Sequence, residues 1–186
     1  TYIKDFENLP EYANSAVVKY STMIVSISQI SETLFILTIP YFLKRFGIKT
    51  VILMSMVAWV LRFGLFSFGD PSTGLWMIIL SNIVYGMAFD FFNVSGSLFV
   101  ESSTEARIRS SAQGLFMMMT NGFGAILGSY GSGIIIDQFF TMENGLKDWP
   151  QIWLYFAIYA LIVTVFFAIL FKYKHNPEAV AKAVNS

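Results

Sequence analysis

The chain has 186 residues, of which 55% are hydrophobic and only 13% are charged, and its mean hydropathy is +0.61. An average soluble domain is about 25% charged, so this composition predicts an integral membrane protein. The formal net charge is zero and cysteine is absent, which argues against nucleic acid as a partner and excludes disulfide bonds and thiolate metal sites.

Residues 1–19 are polar and lack the short apolar core of a signal peptide, and the chain does not begin with Met. We therefore expect a piece of a larger protein. Five apolar segments follow, each long enough to cross a bilayer at roughly 20 residues per crossing. They cover residues 20–43, 50–68, 75–100, 111–137 and 151–171. The sequence thus predicts an all-α, polytopic membrane helical bundle over residues 20–171, followed by a tail at 172–186.

The loop charges predict the orientation of this bundle. Most of the connections are short, so neighbouring spans run in opposite directions. One side carries eight basic residues: Lys44, Arg45, Lys49, Arg107, Arg109, Lys172, Lys174 and Lys182. The other side carries three: Lys4, Lys19 and Lys147. Because basic loops remain in the cytoplasm, we expect residues 1–19 to be extracellular or periplasmic and the tail to be cytoplasmic.

Two acidic residues fall inside predicted spans. At a rise of 1.5 Å per residue, Glu32 lies about twelve residues into the first span and Asp90 about fifteen into the third, so both are near the bilayer midplane. Carboxylates at this depth usually face a bundle interior or an aqueous cavity and serve ion or substrate pathways. The alternative is a structural ion pair with a basic residue.

Polar side chains accompany both acids at helical spacing. Ser28, Gln29 and Glu32 share one face of the first span. A longer stripe on the third span, which Asp90 borders, contains Asn82, Tyr85, Phe89, Asn93 and Gly96. Carboxylate and amide groups bind hydroxyls such as those of a sugar, and aromatic rings offer flat surfaces for a planar ring. Core packing of Tyr85 and Phe89, and an interhelical hydrogen bond from Gln29, remain open.

Two further features concern the second and fourth spans. Arg62 lies roughly 9 Å from the outer end of its span, and we expect it to snorkel or to form a structural salt bridge. Gly124, Gly128 and Ser132 recur at every fourth position, which favours close contact with another helix.

Several stretches resemble one family of transporters. The segment PYFLKRFGIKTVIL resembles the loop motif of the major facilitator superfamily: Arg45, Gly47 and Lys49 match it, whereas Pro40 and Lys44 depart from it. The stretches SISQISETLFILTIPYFLKRFGIK, YGMAFDFFNVSGSLFVE and SAQGLFMMMTNGFGAILG are together similar to the bacterial nucleoside:proton symporters, or nucleoside permeases, of that superfamily. The resemblance extends from about residue 26 to residue 175.

The resemblance implies two six-helix halves that rock around a central cavity. This chain matches helices eight to twelve of twelve, and the partner implied is the missing N-terminal half with the seventh helix. The family's nucleoside contacts match five positions here: Gln29, Glu32, Tyr85, Phe89 and Asp90. Gln29 and Glu32 would contact ribose hydroxyls, and Tyr85 and Phe89 would bound the base. Asp90 would couple the proton, with Glu32 as the second candidate.

The expected function is therefore part of a proton-coupled nucleoside importer of a bacterial inner membrane, with nucleoside, protons and the lipid bilayer as partners. We expect no cofactor, no metal and no nucleic acid, and no transport by this chain alone. One alternative is the same fold moving another small polar solute, such as a sugar. The others are an intramembrane enzyme that uses Glu32 and Asp90 as an acid pair, and a domain that only packs, through its fourth span.

Overall fold

The computed structural model describes residues 2, 6–8, 12, 15–143 and 145–173. This part of the chain is helical apart from its loops and one isolated bridge between Thr141 and Lys147. Its elements are a 3-10 turn at Phe6–Asn8, α1 (Ala16–Lys19), α2 (Ser21–Phe68), α3 (Leu75–Ser103), α4 (Arg109–Met117), a π-helical segment (Met118–Gly124), α5 (Ala125–Phe139) and α6 (Trp149–Leu170). Several predicted features lie outside the described residues: Lys4, Lys174, Lys182 and nearly all of the tail.

The helix α2 consists of two arms that meet at Gly47. This glycine has φ 76° and ψ 166°, a conformation that side chains other than glycine rarely adopt. We call residues 21–46 the first arm and residues 48–68 the second arm. Ser31 of the first arm donates a hydrogen bond to the carbonyl of Ile83, and Ser81 donates one of 3.1 Å to the carbonyl of Arg62 in the second arm. Both arms therefore pack on the same stretch of α3, and α2 is a helical hairpin.

Small residues bring the arms close to α3. The side chains of Ser55 and Ser81 are fully buried, and Ala88 is fully buried beside them. A Cβ atom built on Gly86 would lie 2.5 Å from the carbonyl carbon of Ser31, so the two backbones touch at this point. Small residues permit such approaches between membrane helices. The close contact fixes the relative positions of the first arm and α3.

The helix α6 runs antiparallel to the second arm. Near one end Ser67 donates a hydrogen bond of 2.8 Å to the carbonyl of Pro150, and near the other end Lys49 donates one of 3.1 Å to the carbonyl of Ala168. Much of the rest of α6 faces away from the bundle, as the 72% exposure of Leu170 illustrates. An apolar surface of this kind fits contact with lipid.

A continuous helical run covers residues 109–139 and leaves the bundle after its first turns. Gln113 is bonded to α3, since it accepts from the hydroxyl of Ser97 at 3.0 Å and donates to its carbonyl at 2.7 Å. Farther along, a Cβ atom on Gly128 or Gly131 would meet nothing within 4 Å. The predicted close helix contact of this small-residue face is therefore not made within the part of the chain described. No described helix packs against it.

The predicted fold class, an all-α membrane bundle, is confirmed. Three helices are long and apolar enough to cross a membrane: α2, α3 and α6. Division at Gly47 gives two arms of crossing length, and the helical run at residues 109–139 covers the fourth predicted span. The positions match all five predicted segments, while five crossings of a bilayer remain a prediction.

Candidate functional site

A cavity of about 550 Å³ lies between the two arms of α2, α3 and α6. This volume is in the range of small-molecule sites. Three of the five predicted site residues line it: Gln29, Glu32 and Tyr85. The other lining residues are Tyr2, Ser21, Thr22, Val25, Ser28, Arg62, Phe66, Asn82 and Trp153.

The first arm contributes polar groups that are free to bind a ligand. Ser28, Gln29 and Glu32 all line the cavity because their spacing places them on one helical face. The Ser28 hydroxyl donates to the carbonyl of Val25 in its own helix at 2.5 Å. The side chains of Gln29 and Glu32 have no hydrogen-bond partner among the described residues. An amide and a carboxylate are therefore available on this wall.

The helix α3 contributes an aromatic wall. The rings of Tyr85 and Phe89 stack with their centroids 5.6 Å apart and their planes at 24°. Trp59 of the second arm meets the Tyr85 ring edge-on at 5.7 Å. Tyr85 lines the cavity, whereas Phe89 is half-buried one turn farther along and supports it. The side-chain nitrogen of Asn82 donates a hydrogen bond of 2.9 Å to the carbonyl of Ile78. The side-chain oxygen of Asn82 remains available for other partners.

Asp90 is placed behind this wall. It is only 9% exposed, it is not among the residues that line the cavity, and its Oδ2 atom is buried without a hydrogen-bond partner. It lies five residues beyond Tyr85, or about 7 Å along the helix axis. The helices that carry the two acids touch one turn before Asp90, since a Cβ atom on Gly86 would lie 2.6 Å from the backbone nitrogen of Glu32. Glu32 lines the cavity and Asp90 does not.

Arg62 is a member of the site that the sequence analysis did not assign. Its guanidinium carbon lies 4.1 Å from the centroid of the Tyr85 ring, 5.2 Å from that of Phe66 and 5.6 Å from that of Trp59. Its Nη1 atom is buried and has no hydrogen-bond partner. One pattern in the sequence could have indicated this position of Arg62. Steps of three and four residues place Trp59, Arg62 and Phe66 on one face of a helix.

The predicted salt bridge of Arg62 is not formed among the described residues, and its snorkelling stays a prediction. The ion pairs recorded there join Arg109 to Glu101 and Lys147 to Asp137, each at 3.6 Å. Glu101 and Asp137 both lie near helix ends. Arg62 is instead held among aromatic rings, because the face of a ring attracts a cation.

A second cavity, of about 580 Å³, lies among the loops and contains none of the predicted site residues. Tyr2 lines both cavities and separates them. Its hydroxyl donates to the carbonyls of Phe66 and Gly69 at 3.2 and 3.3 Å. Burial, and next the negative charge of Asp70, raise the pKa of Tyr2 above its ordinary value. The phenol therefore stays protonated at neutral pH.

Comparison with known proteins gives a consistent set of relatives. The profile of the family described as "Nucleoside H+ symporter" matches residues 1–176. The xanthosine permease of Escherichia coli (strain K12) is 59% identical over 180 residues, which are 96% of this chain and 43% of that protein. The nucleoside permease NupG of the same organism is 53% identical over 176 residues, 94% of this chain and 42% of the relative.

A solved structure agrees with these relatives. The crystal structure of the nucleoside transporter NupG has a TM-score of 0.86 and 53% sequence identity over 93% of this chain and 42% of that one. The fold is thus that of NupG, as the resemblance to a major facilitator transporter predicted, and the chain spans well under half the length of these relatives. The family comprises transporters, which sets aside an intramembrane enzyme. The chain belongs to the nucleoside:H⁺ symporter family.

Proposed function

We propose that this chain is part of a proton-coupled nucleoside importer that works by alternating access. The observation that carries the proposal is the cavity in which Gln29, Glu32 and Tyr85 meet. An amide, a carboxylate and an aromatic ring are the groups that a ribose and a planar base require. The relatives named as nucleoside permeases support the same substrate class.

The binding groups divide by chemistry. Gln29 and Glu32 have free polar atoms and accept hydrogen bonds from ribose hydroxyls. Tyr85 and Phe89 form the wall that bounds the base. One face of the Tyr85 ring already carries Arg62, so the base contacts the remainder of the aromatic wall.

Proton coupling falls to Asp90, with Glu32 as the second candidate. Asp90 is buried and its Oδ2 atom has no partner, and a second carboxylate acts on it from the first arm. Two negative charges near each other in an apolar setting are unfavourable, and binding one proton relieves that cost. Occupancy of the adjacent cavity by a nucleoside then changes the electrostatics of the pair.

The membrane placement follows from the loop charges. We infer a bacterial inner membrane, with residues 1–19 periplasmic and the tail at 172–186 cytoplasmic, from the eight-to-three distribution of basic residues. In this orientation the cavity lies in the periplasmic half of the bundle. A nucleoside and a proton that enter from outside reach Glu32 before Asp90.

Residues 20–171 would form the larger part of the C-terminal half of the transporter. The N-terminal six-helix half and the seventh helix of the same protein complete the binding site and cover the open face of the helical run at residues 109–139. The chain alone has an incomplete cavity, and we expect no transport from it.

Radiolabelled uptake by the full-length protein tests this function. In cells without their own nucleoside uptake, labelled uridine or xanthosine should accumulate, a protonophore should abolish the accumulation, and excess unlabelled nucleoside should compete. Competition by a simple sugar but not by nucleosides would favour the alternative solute. Uptake that is unchanged by both Glu32→Gln and Asp90→Asn would show that this half serves only for packing.

A further inference from the structure

We propose that Arg62 is a substrate-positioning residue, and this inference rests on the proposed function. Its guanidinium group fixes the Tyr85 ring as a wall of the cavity. Its unpaired Nη1 atom donates a hydrogen bond to a carbonyl oxygen of the nucleobase.

The first role follows from the geometry around the guanidinium group. A distance of 4.1 Å to the centroid of the Tyr85 ring is within the range of a cation–π contact. Phe66 and Trp59 flank the same group at 5.2 and 5.6 Å. The backbone is fixed as well, since Ser81 of α3 donates to the carbonyl of Arg62 at 3.1 Å. Arg62 therefore ties the second arm to the turn of α3 that carries Tyr85.

The second role follows from the donor that remains unused. Nη1 of Arg62 is buried without an acceptor, and a buried charged donor without a partner is costly. Glu32 acts on Arg62 electrostatically, yet no salt bridge joins them in the described structure. Arg62 lines the cavity, so a ligand that fills it lies next to the guanidinium group. The Nη1 atom is covered here, and a rotation of the guanidinium group would bring it to the ligand.

The chemistry of the ligand selects the acceptor. A guanidinium group only donates, so its best partner is an atom that only accepts, such as a carbonyl oxygen. Gln29 and Glu32 supply acceptors for the ribose hydroxyls. Arg62 shares the wall of Tyr85, which bounds the base. Uridine and xanthosine both carry two ring carbonyls, and one of these oxygens would face Nη1.

Replacement of single oxygen atoms in the ligand tests the contact. Dissociation constants of uridine, 2-thiouridine and 4-thiouridine are measured on the purified full-length transporter, because sulfur is a poor acceptor. The variants are Arg62→Gln and Arg62→Met, and the control is Arg107→Gln, which removes an exposed loop guanidinium. We expect the wild type to bind one thio analogue about 5-fold more weakly than uridine, the size expected for one weakened hydrogen bond.

For Arg62→Gln we expect uridine binding to weaken about 10-fold and the preference for the oxygen analogue to disappear, as the loss of a charged donor requires. Arg107→Gln should retain both wild-type values. A variant that binds uridine weakly but keeps the wild-type preference overturns the proposal, because Arg62 then acts through the protein alone. If Arg62→Gln does not fold, the same ratio decides for Arg62→Met, which also lacks the charged donor. A wild-type protein that binds no nucleoside overturns the proposed function, and this inference with it.

Discussion

The polar side chains around the cavity differ in whether they form a hydrogen bond with the backbone of their own helix. Ser28 and Asn82 donate to carbonyls of the preceding turn. Gln29 and Glu32 do not, and Asp90 and Arg62 each retain a buried atom without a partner. Buried polar groups in proteins are nearly always hydrogen-bonded, so unpaired ones call for an explanation. Of the described residues with such an atom, Arg62 and Trp153 line the cavity, whereas Asp90, Ser95, Arg109 and Trp149 do not. Arg62 is therefore the unpaired charged group that a ligand in the cavity would meet first.

Tyr2 gives a prediction about pH at this scale. Folding raises the pKa of Tyr2 above its value near 10 in the unfolded chain. Its hydrogen bonds therefore stabilise the fold fully at any pH below the unfolded pKa, and this stability is lost only as the pH rises through the folded pKa. Tyr2→Phe should therefore lower the stability of the full-length protein by about 0.5–1.5 kcal/mol, and equally at pH 6 and pH 9. Thermal unfolding in detergent measures this.

Tyr159→Phe is the matched control, because Tyr159 is 61% exposed on α6. It should leave the unfolding temperature unchanged at both pH values. An effect of Tyr2→Phe that is present at pH 6 and absent at pH 9 would contradict the raised pKa.

The contact between the first arm and α3 determines the shape of the cavity, because these two elements form two of its walls. A Cβ atom on Gly86 would lie 2.5 Å from the carbonyl carbon of Ser31 and 2.6 Å from the backbone nitrogen of Glu32. Neither backbone atom can move without moving the helix. Gly86→Ala should therefore separate the two elements, destabilise the protein by about 1–3 kcal/mol and weaken uridine binding.

Gly64→Ala is the control for this substitution, because its added Cβ atom meets nothing within 4 Å. Both variants would be compared by thermal unfolding and by uridine binding. If Gly86→Ala and Gly64→Ala behave alike in the two measurements, the close approach at Ser31 does not shape the site.

The helices and their contacts also show how much of the structure could be predicted from the sequence. Length and hydropathy located the apolar segments, and the glycine of the loop motif proved to be the corner of α2. Helical spacing predicted that Gln29 and Glu32 share a face. It could not predict the contact of Arg62 with Tyr85, because the two lie on different helices. The small-residue face around Gly128 stays open because its partner is not within the described chain.

At the scale of the whole molecule, we propose that the chain supplies one side of a transporter. It spans 42–43% of the length of its relatives, and α6 exposes an apolar surface that fits lipid. We expect other parts of the full-length protein to close the cavity among its helices. We propose that this half carries the coupling, because two acids of its membrane-spanning helices, Glu32 and Asp90, belong to it.

Nucleoside-induced proton uptake by the purified full-length transporter is the most direct test of that assignment. A pH-sensitive dye in weak buffer would record protons taken up when uridine is added to the wild type, Asp90→Asn and Asp137→Asn. Asp137 is an exposed acid at a helix end, paired with Lys147 at 3.6 Å, and serves as the control. The wild type and Asp137→Asn should take up protons on binding, and Asp90→Asn should bind uridine without doing so. Equal proton uptake by Asp90→Asn and the wild type would contradict the account.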